Sequence, residues 1–218
     1  MSRKMTWHVF TLIGTIAFAL SGAIVAMEEE YDIFGVLVLA LVTTFGGGLL
    51  RNLFIGLPVS SIWSQSALFN AAFVATAIII VLPVRWVQHW LPRWVNVFDA
   101  LGLSAFTIQG ALYAAQMKYS VGTVIVAAVI TGIGGGVIRD LLAGRKPLVL
   151  REEIYALWAA VAGAAVGLHL VDAHSPWQLY LLLTVVFVLR MLSVIFHWHV
   201  PKRKWATTGS SKTDAHSL

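Results

Sequence analysis

Cysteine is absent from the 218 residues, which excludes a disulfide framework, a thiolate metal site and a cysteine nucleophile. Charge is nearly as scarce. Asp, Glu, Lys and Arg together make up 11% of the chain, against roughly 25% in soluble domains. Hydrophobic residues make up 59%, and the mean hydropathy is +0.83. A soluble core of this length has too little interior to hide that much apolar surface. The composition therefore predicts an integral membrane protein. The net charge of +5 is not the mark of a nucleic-acid binder here. Its basic residues sit in loops and tails, as on the cytoplasmic face of a membrane protein.

Signs of catalysis are also missing. The seven histidines never take a metal-ligand spacing on one helix face, and His197 and His199 are two residues apart, which does not turn both to one ligand. No Walker loop and no G-x-S-x-G occurs. No enzyme activity, cofactor or resident metal is expected.

What the chain does contain is a succession of apolar runs, each near the ~20 residues that a bilayer core requires. Seven are read, over 7–27, 33–56, 64–83, 95–116, 120–144, 153–171 and 177–198. The breaks between them carry charge, proline or glycine, as in "EEEYD" at 28–32 and "GRKPLVLREE" at 144–153. The fold expected is an all-α polytopic membrane protein. Arg3 and Lys4 before the first run resemble a signal peptide, but the same segment recurs later as an internal span, which argues against cleavage. In 82–96, Trp86, Trp90 and Trp94 recur at four-residue spacing and Pro92 argues against one continuous helix. This stretch reads as an interfacial belt among lipid headgroups. The residues from 199 on read as a basic, disordered tail.

Basic residues set the orientation. One side collects Arg3, Lys4, Arg51 and Lys118. The other collects Arg85, Arg93, Arg139, Arg145, Lys146, Arg151, Lys202, Arg203, Lys204 and Lys212. The larger group marks the cytoplasmic side and so places the N-terminus outside and the C-terminus in the cytoplasm. The first helix, taken alone, votes the other way.

The chain repeats itself. With an offset of 88, residues 9–56 and 97–144 share 19 identities in 48 positions. Among them are Gly14 and Gly102, Phe18 and Phe106, Gly22 and Gly110, Thr43 and Thr131, and Arg51 and Arg139. The core of the match is "GGGLLRNLFIG" from Gly46, Gly47 and Gly48 onward, against "GGGVIRDLLAG" from Gly134, Gly135 and Gly136 onward. The unit is three helices, 7–83 and 95–171, followed by a seventh at 177–198. An odd number of helices per unit inverts the second copy, the architecture of many transporters and channels, whose permeation site lies where the copies meet.

Three glycines in a row weaken a helix by roughly 1 kcal/mol each relative to alanine. They permit a kink and bare carbonyls, or else close helix packing. Arg51 and Arg139 lie a turn or two inside their helix ends. Ionised groups at that depth face a protein interior or a watery cavity and have partners. Asp140 adjoins Arg139, but successive helix residues point apart, so a partner on another helix is expected. Asp99, near the start of the fourth run, is either a cation-attracting mouth residue or a helix N-terminal charge.

The motifs "FDALGLSAFTIQGA" (98–111) and "GGGVIRDLLAGRKPLVL" (134–150) resemble the trimeric intracellular cation channel family, whose prokaryotic members carry a duplicated glycine-transporter-type domain. The resemblance implies a homotrimer in a prokaryotic inner membrane with a pore in each protomer. That pore would be lined by helices one, two, four and five and kinked at the glycines. It would pass monovalent cations passively, K⁺ foremost. The implied partners are a second and third copy, membrane lipids and the cation, with no nucleic acid. The pathway residues would be Thr43, Gly46, Gly47, Gly48, Arg51, Asn52, Asp99, Thr131, Gly134, Gly135, Gly136, Arg139 and Asp140, with carbonyls and threonine hydroxyls facing the ion. Asn52 stands where the second copy has Asp140, and Thr11 where it has Asp99, so this pore carries fewer acids than a symmetric member. The alternative is a secondary transporter for glycine or a similar small zwitterion, its carboxylate held by an arginine.

Overall fold

The structure is a computed structural model and describes residues 3–151 and 154–198. The basic tail therefore lies outside the described residues. All regular structure among the described residues is helical. The elements are α1 (Arg3–Glu28), α2 (Ile33–Ile55), a 3₁₀ turn (Val59–Ile62), α3 (Ser66–Val81), α4 (Val84–Gln116), α5 (Val121–Leu142), the short α6 (Leu148–Arg151), α7 (Ile154–Gly167) and α8 (Pro176–Ile195). Local chemistry sets the ends. The Asp32 carboxylate accepts from the Gly35 amide at 2.7 Å, and the Ser120 hydroxyl accepts from the Thr123 amide. Both are N-caps that satisfy otherwise orphaned donors. Gly56 and Gly144 close α2 and α5 at φ 75° and 69°, a left-handed conformation that glycine adopts without penalty. Pro176 opens α8 at its first turn, where no amide is needed.

Five helices are long and apolar enough to cross a membrane: α1, α2, the Trp94–Gln116 part of α4, α5 and α8. The protein is a multi-pass membrane protein. α3 and α7 are apolar but shorter. At 1.5 Å per residue they span ~24 and ~21 Å, less than the ~30 Å of a hydrocarbon core.

Pro92 does not end a helix, contrary to the expectation for 82–96. α4 runs 33 residues through it. A proline removes one intrahelical hydrogen bond and clashes with one carbonyl, and a long helix absorbs that where neighbouring turns remain bonded. The side chains of Trp86 and Trp90 are outside the described set. Trp94 is half-exposed, in keeping with a belt residue.

The helices form two tiers. α1 and α4 are the interior pair, with 72% and 78% of their spans buried, against 39%, 44% and 22% for α2, α5 and α8. Their crossing depends on small residues. The Phe106 ring occupies the space a Gly14 side chain would need, and the Phe18 ring does the same at Gly102. The two rings meet edge-on, centroids 5.2 Å apart. Each residue of this exchange is the repeat mate of its counterpart. The same holds at the rim. The Tyr31 hydroxyl donates to the Leu142 carbonyl at 2.6 Å, and its mate Tyr119 donates to the Ile55 carbonyl at 3.0 Å. The α1–α2 connection thus sits beside the end of α5, and the α4–α5 connection beside the end of α2. Arg145 strengthens only the first clasp, donating to Glu28 at 2.8 Å and Glu29 at 2.5 Å. These pairs are about one-third exposed, so each is worth about 0.2–1 kcal/mol.

Candidate functional site

α2 and α5 stay helical through both glycine triplets, and the three glycines of each triplet face different surroundings. The middle ones bring the helices together. A side chain on Gly47 would collide with the Thr131 carbonyl oxygen, and one on Gly135 with the Thr43 carbonyl oxygen. The first ones meet the partner helix less tightly. Gly134 faces the Gly47 Cα, while Gly46 faces the flexible end of Ile138. The last ones open toward the arginines. Gly48 has only Arg51 Nη2 nearby, at 3.8 Å from a notional Cβ, and Gly136 has Asp99, the Tyr155 hydroxyl and Arg139 Nη2 at 3.5–3.7 Å. The triplet is thus a contact surface on one side and a bare wall on the other. Absence of a side chain allows both, because adjacent helix positions are rotated by about a quarter turn.

Thr43 and Thr131 serve the contact. Each is buried and donates its hydroxyl to its own helix, to Leu39 O and Ala127 O, both at 2.6 Å. A threonine bonded to its preceding turn satisfies itself without a partner helix. Their side chains fill the notches at Gly22 and Gly110.

The two arginines turn inward rather than toward the headgroups: Arg51 is 5% exposed and Arg139 1%. Their surroundings differ. Arg139 Nη1 donates to Asp99 Oδ1 on α4 at 2.8 Å and to Ser21 Oγ on α1 at 2.6 Å. Its Nε donates to Asp140 Oδ1 at 2.8 Å, and Nη2 lies 2.8 Å from the same oxygen. The expected partner on another helix is present, and the sequence neighbour pairs as well. Arginine's long stem lets its head curl back beside its own backbone, which the helical-wheel argument overlooks. The other oxygen of Asp140 accepts from the Leu148 amide at 2.9 Å and so ties down α6. Asp99 is neither a mouth residue nor a helix N-terminal charge. It lies about four turns inside α4, fully buried, as the counter-ion of Arg139.

Among the described residues Arg51 has no carboxylate partner. Its Nε and Nη2 donate to the Asn52 side-chain oxygen at 3.1 and 2.8 Å, its face covers the Tyr113 ring at 4.0 Å, and buried Nη1 has no hydrogen-bond partner. Asn52 itself donates to Pro58 O and Ser61 Oγ. Thr11, the mate of Asp99, accepts a 2.6 Å bond from Gln109, the mate of Ser21. Arg51 lines a cleft of about 520 Å³ together with His8, Thr11, Asn52, Gln65 and Tyr113. Thr11, Gln65, Tyr113 and Arg51 also wall a smaller hollow, of about 30 Å³, that reaches Gly48 and Gln109.

Three participants escaped the sequence reading. Tyr113 carries Arg51, and Tyr155 carries a third buried arginine, Arg190, 4.3 Å from its ring centroid. Aromatic partners of arginine have no fixed sequence spacing, so only contact reveals them. No group of three metal-ligating side chains occurs among the described residues.

The family model described as Glycine transporter matches the chain twice, over residues 8–84 and 96–171. The membrane protein YvgT of Bacillus subtilis is 54% identical over 92% of this chain and 98% of its own length. YadS, an inner membrane protein of Escherichia coli, is 32% identical over 87% and 91%. Among solved structures, a TRIC cation channel studied for conductance is 33% identical, covers 91% of this chain and 97% of its own, and superposes with a TM-score of 0.76. The trimeric intracellular cation channel orthologue from Rhodobacter sphaeroides is 30% identical over 88% and 98%, with a TM-score of 0.77. With the doubled domain, this identity and the near-complete coverage, the chain belongs to the trimeric intracellular cation (TRIC) channel family.

Proposed function

We propose that the protein is a cation channel, permeable to K⁺ and other monovalent cations, with one pathway inside each protomer of a homotrimer. The observation that carries this reading is the pair of repeat-matched arginines buried at opposite ends of the α1, α2, α4 and α5 assembly. Ionisable groups held within spans line a water-filled or ion-bearing route far more often than they serve packing. At the α5 end Asp99 and Asp140 set two carboxylates beside Arg139, ionisable groups of the kind that mark an ion route within a membrane. The bare walls at Gly48 and Gly136, next to the arginines, are the places where carbonyls would meet a partly dehydrated ion. Thr43 and Thr131 frame that route from behind, through their contacts with Gly22 and Gly110. The likeness to solved cation channels supports the same conclusion.

In this reading α3 and α7 also cross, helped by their flanking turns, which gives seven spans as two inverted three-helix repeats and a terminal helix. The reciprocal Gly14–Phe106 and Gly102–Phe18 contacts, and the two tyrosine clasps, fit a two-fold axis in the membrane plane. The setting is a bacterial plasma membrane, with the N-terminus outside and the more basic C-terminal side in the cytoplasm. The cysteine-free background makes this testable. In intact cells, Ser61→Cys is expected to react with a membrane-impermeant maleimide and Lys146→Cys only after permeabilisation. The reverse pattern would invert the orientation.

Conduction is tested by reconstituting folded protein in planar bilayers. Discrete K⁺ currents are expected, and their absence would sink the channel reading. Asn52→Asp, which places a carboxylate on Arg51, is expected to raise the K⁺ over Cl⁻ permeability ratio several-fold. An unchanged ratio would mean that position 52 does not face the pathway. The family description as a glycine transporter keeps one rival in view. Saturable, gradient-coupled uptake of labelled glycine, without ohmic current, would favour it.

A further inference from the structure

The pseudo-symmetry of the two arginines is broken in charge. Arg139 is neutralised within 2.8 Å by Asp99 and Asp140. At the matched places around Arg51 stand Thr11 and Asn52, neutral side chains. Arg51 takes part in none of the ion pairs seen among the described residues. An arginine at 5% exposure inside a span calls for a counter-charge, and no described acidic side chain pairs with it.

The surroundings of Arg51 have room for one. The guanidinium is held flat, with Tyr113 beneath its face and Asn52 bridging Nε and Nη2. That leaves Nη1, which is buried and has no hydrogen-bond partner. The 520 Å³ cleft that Arg51 lines holds no aspartate or glutamate, and its one other titratable group besides tyrosine is His8. The hydroxyls of Ser61 and Ser64 are spent on backbone carbonyls, and the Thr11 hydroxyl donates to Trp7 O. Among its described lining residues the cleft therefore presents one fixed positive charge, Arg51.

We propose that this cleft binds a small monovalent anion, a halide or a short carboxylate, beside the Arg51 guanidinium. The anion supplies from solution the charge that Asp99 and Asp140 supply to Arg139 from the chain. One uncompensated positive charge matches one negative charge, and a guanidinium edge accepts either a spherical ion or a carboxylate. Anion occupancy then sets the field at this end of the molecule, whatever solute crosses it.

The test reads binding and so stands apart from conduction. Crystals of the full chain soaked in potassium bromide are measured at the bromine absorption edge. An anomalous peak is expected at Arg51, absent in Asn52→Asp, whose carboxylate at Nε and Nη2 supplies the counter-charge from the chain. In parallel, purified protein is heated in potassium bromide, formate or gluconate at equal potassium. Bromide or formate is expected to raise the midpoint by about 3 °C over bulky gluconate, and the gain is expected to vanish in Asn52→Asp and Arg51→Gln. A response to bromide alone identifies a halide site, and one to formate alone a carboxylate site. No bromide peak at Arg51 together with no stability gain in formate, or a gain that survives Arg51→Gln, would overturn the proposal. If Asn52→Asp does not fold, the soak of the unsubstituted chain and the Arg51→Gln melt decide it.

Discussion

Arg139→Gln is expected to destabilise the folded protein by about 3–5 kcal/mol, the usual cost of removing one partner from a buried ion pair. The loss exceeds that of the hydrogen bonds alone. Asp99 and Asp140 would remain within a few ångströms of each other, buried and both negative, with Ser21 as a weak substitute donor. Arg51→Gln is expected to change stability by no more than about 1–2 kcal/mol, because it gives up a cation–π contact and a bridge to Asn52 while orphaning no acid. Equilibrium unfolding in graded SDS and detergent mixtures measures both. Adding Asp99→Asn and Asp140→Asn to Arg139→Gln is expected to recover most of the loss. Equal losses at the two arginines would show that the carboxylates do not set the difference.

The second large effect is expected within the triplets. Gly135→Ala and Gly47→Ala place a methyl group against a backbone carbonyl oxygen of the facing helix. Neither helix can yield locally, so the pair must separate, at about 1–3 kcal/mol as for other overpacked sites. Gly48→Ala meets nothing closer than 3.8 Å. It is expected to be neutral or to stabilise by up to about 1 kcal/mol through helix propensity, while narrowing the hollow beside Arg51. The same unfolding assay separates the three variants. Similar losses at all of them would point to a demand for backbone flexibility along the whole triplet, rather than to close contact at its middle glycine.

Much of this molecule was open to reading from composition and repetition. The membrane setting follows from 59% hydrophobic and 11% charged residues, because no other solvent tolerates that balance. Helix ends at Asp32, Gly56, Ser120 and Gly144 follow from capping chemistry, which is local. Pro92 misled, since the rule for an isolated helix does not count the bonds that neighbouring turns retain. The place of Asp99 misled for a related reason. The helix begins some ten residues before the apolar run does, so a residue at the start of the run is deep within the helix.

The repeat, the paired arginines and the missing acids opposite Thr11 and Asn52 were determined by the sequence alone, since each is a matter of identity at a position. Which glycine touches which carbonyl, and which arginine has a counter-ion, was decided only by tertiary structure. Residues 47 and 131, or 99 and 139, lie 84 and 40 positions apart. Only the crossing of α2 with α5, and of α4 with α5, brings them within reach. In a bilayer those crossings have no hydrophobic driving force between the helices. They rest on close contact and polar pairing, whose geometry is set by the whole helix assembly and by no single stretch of chain.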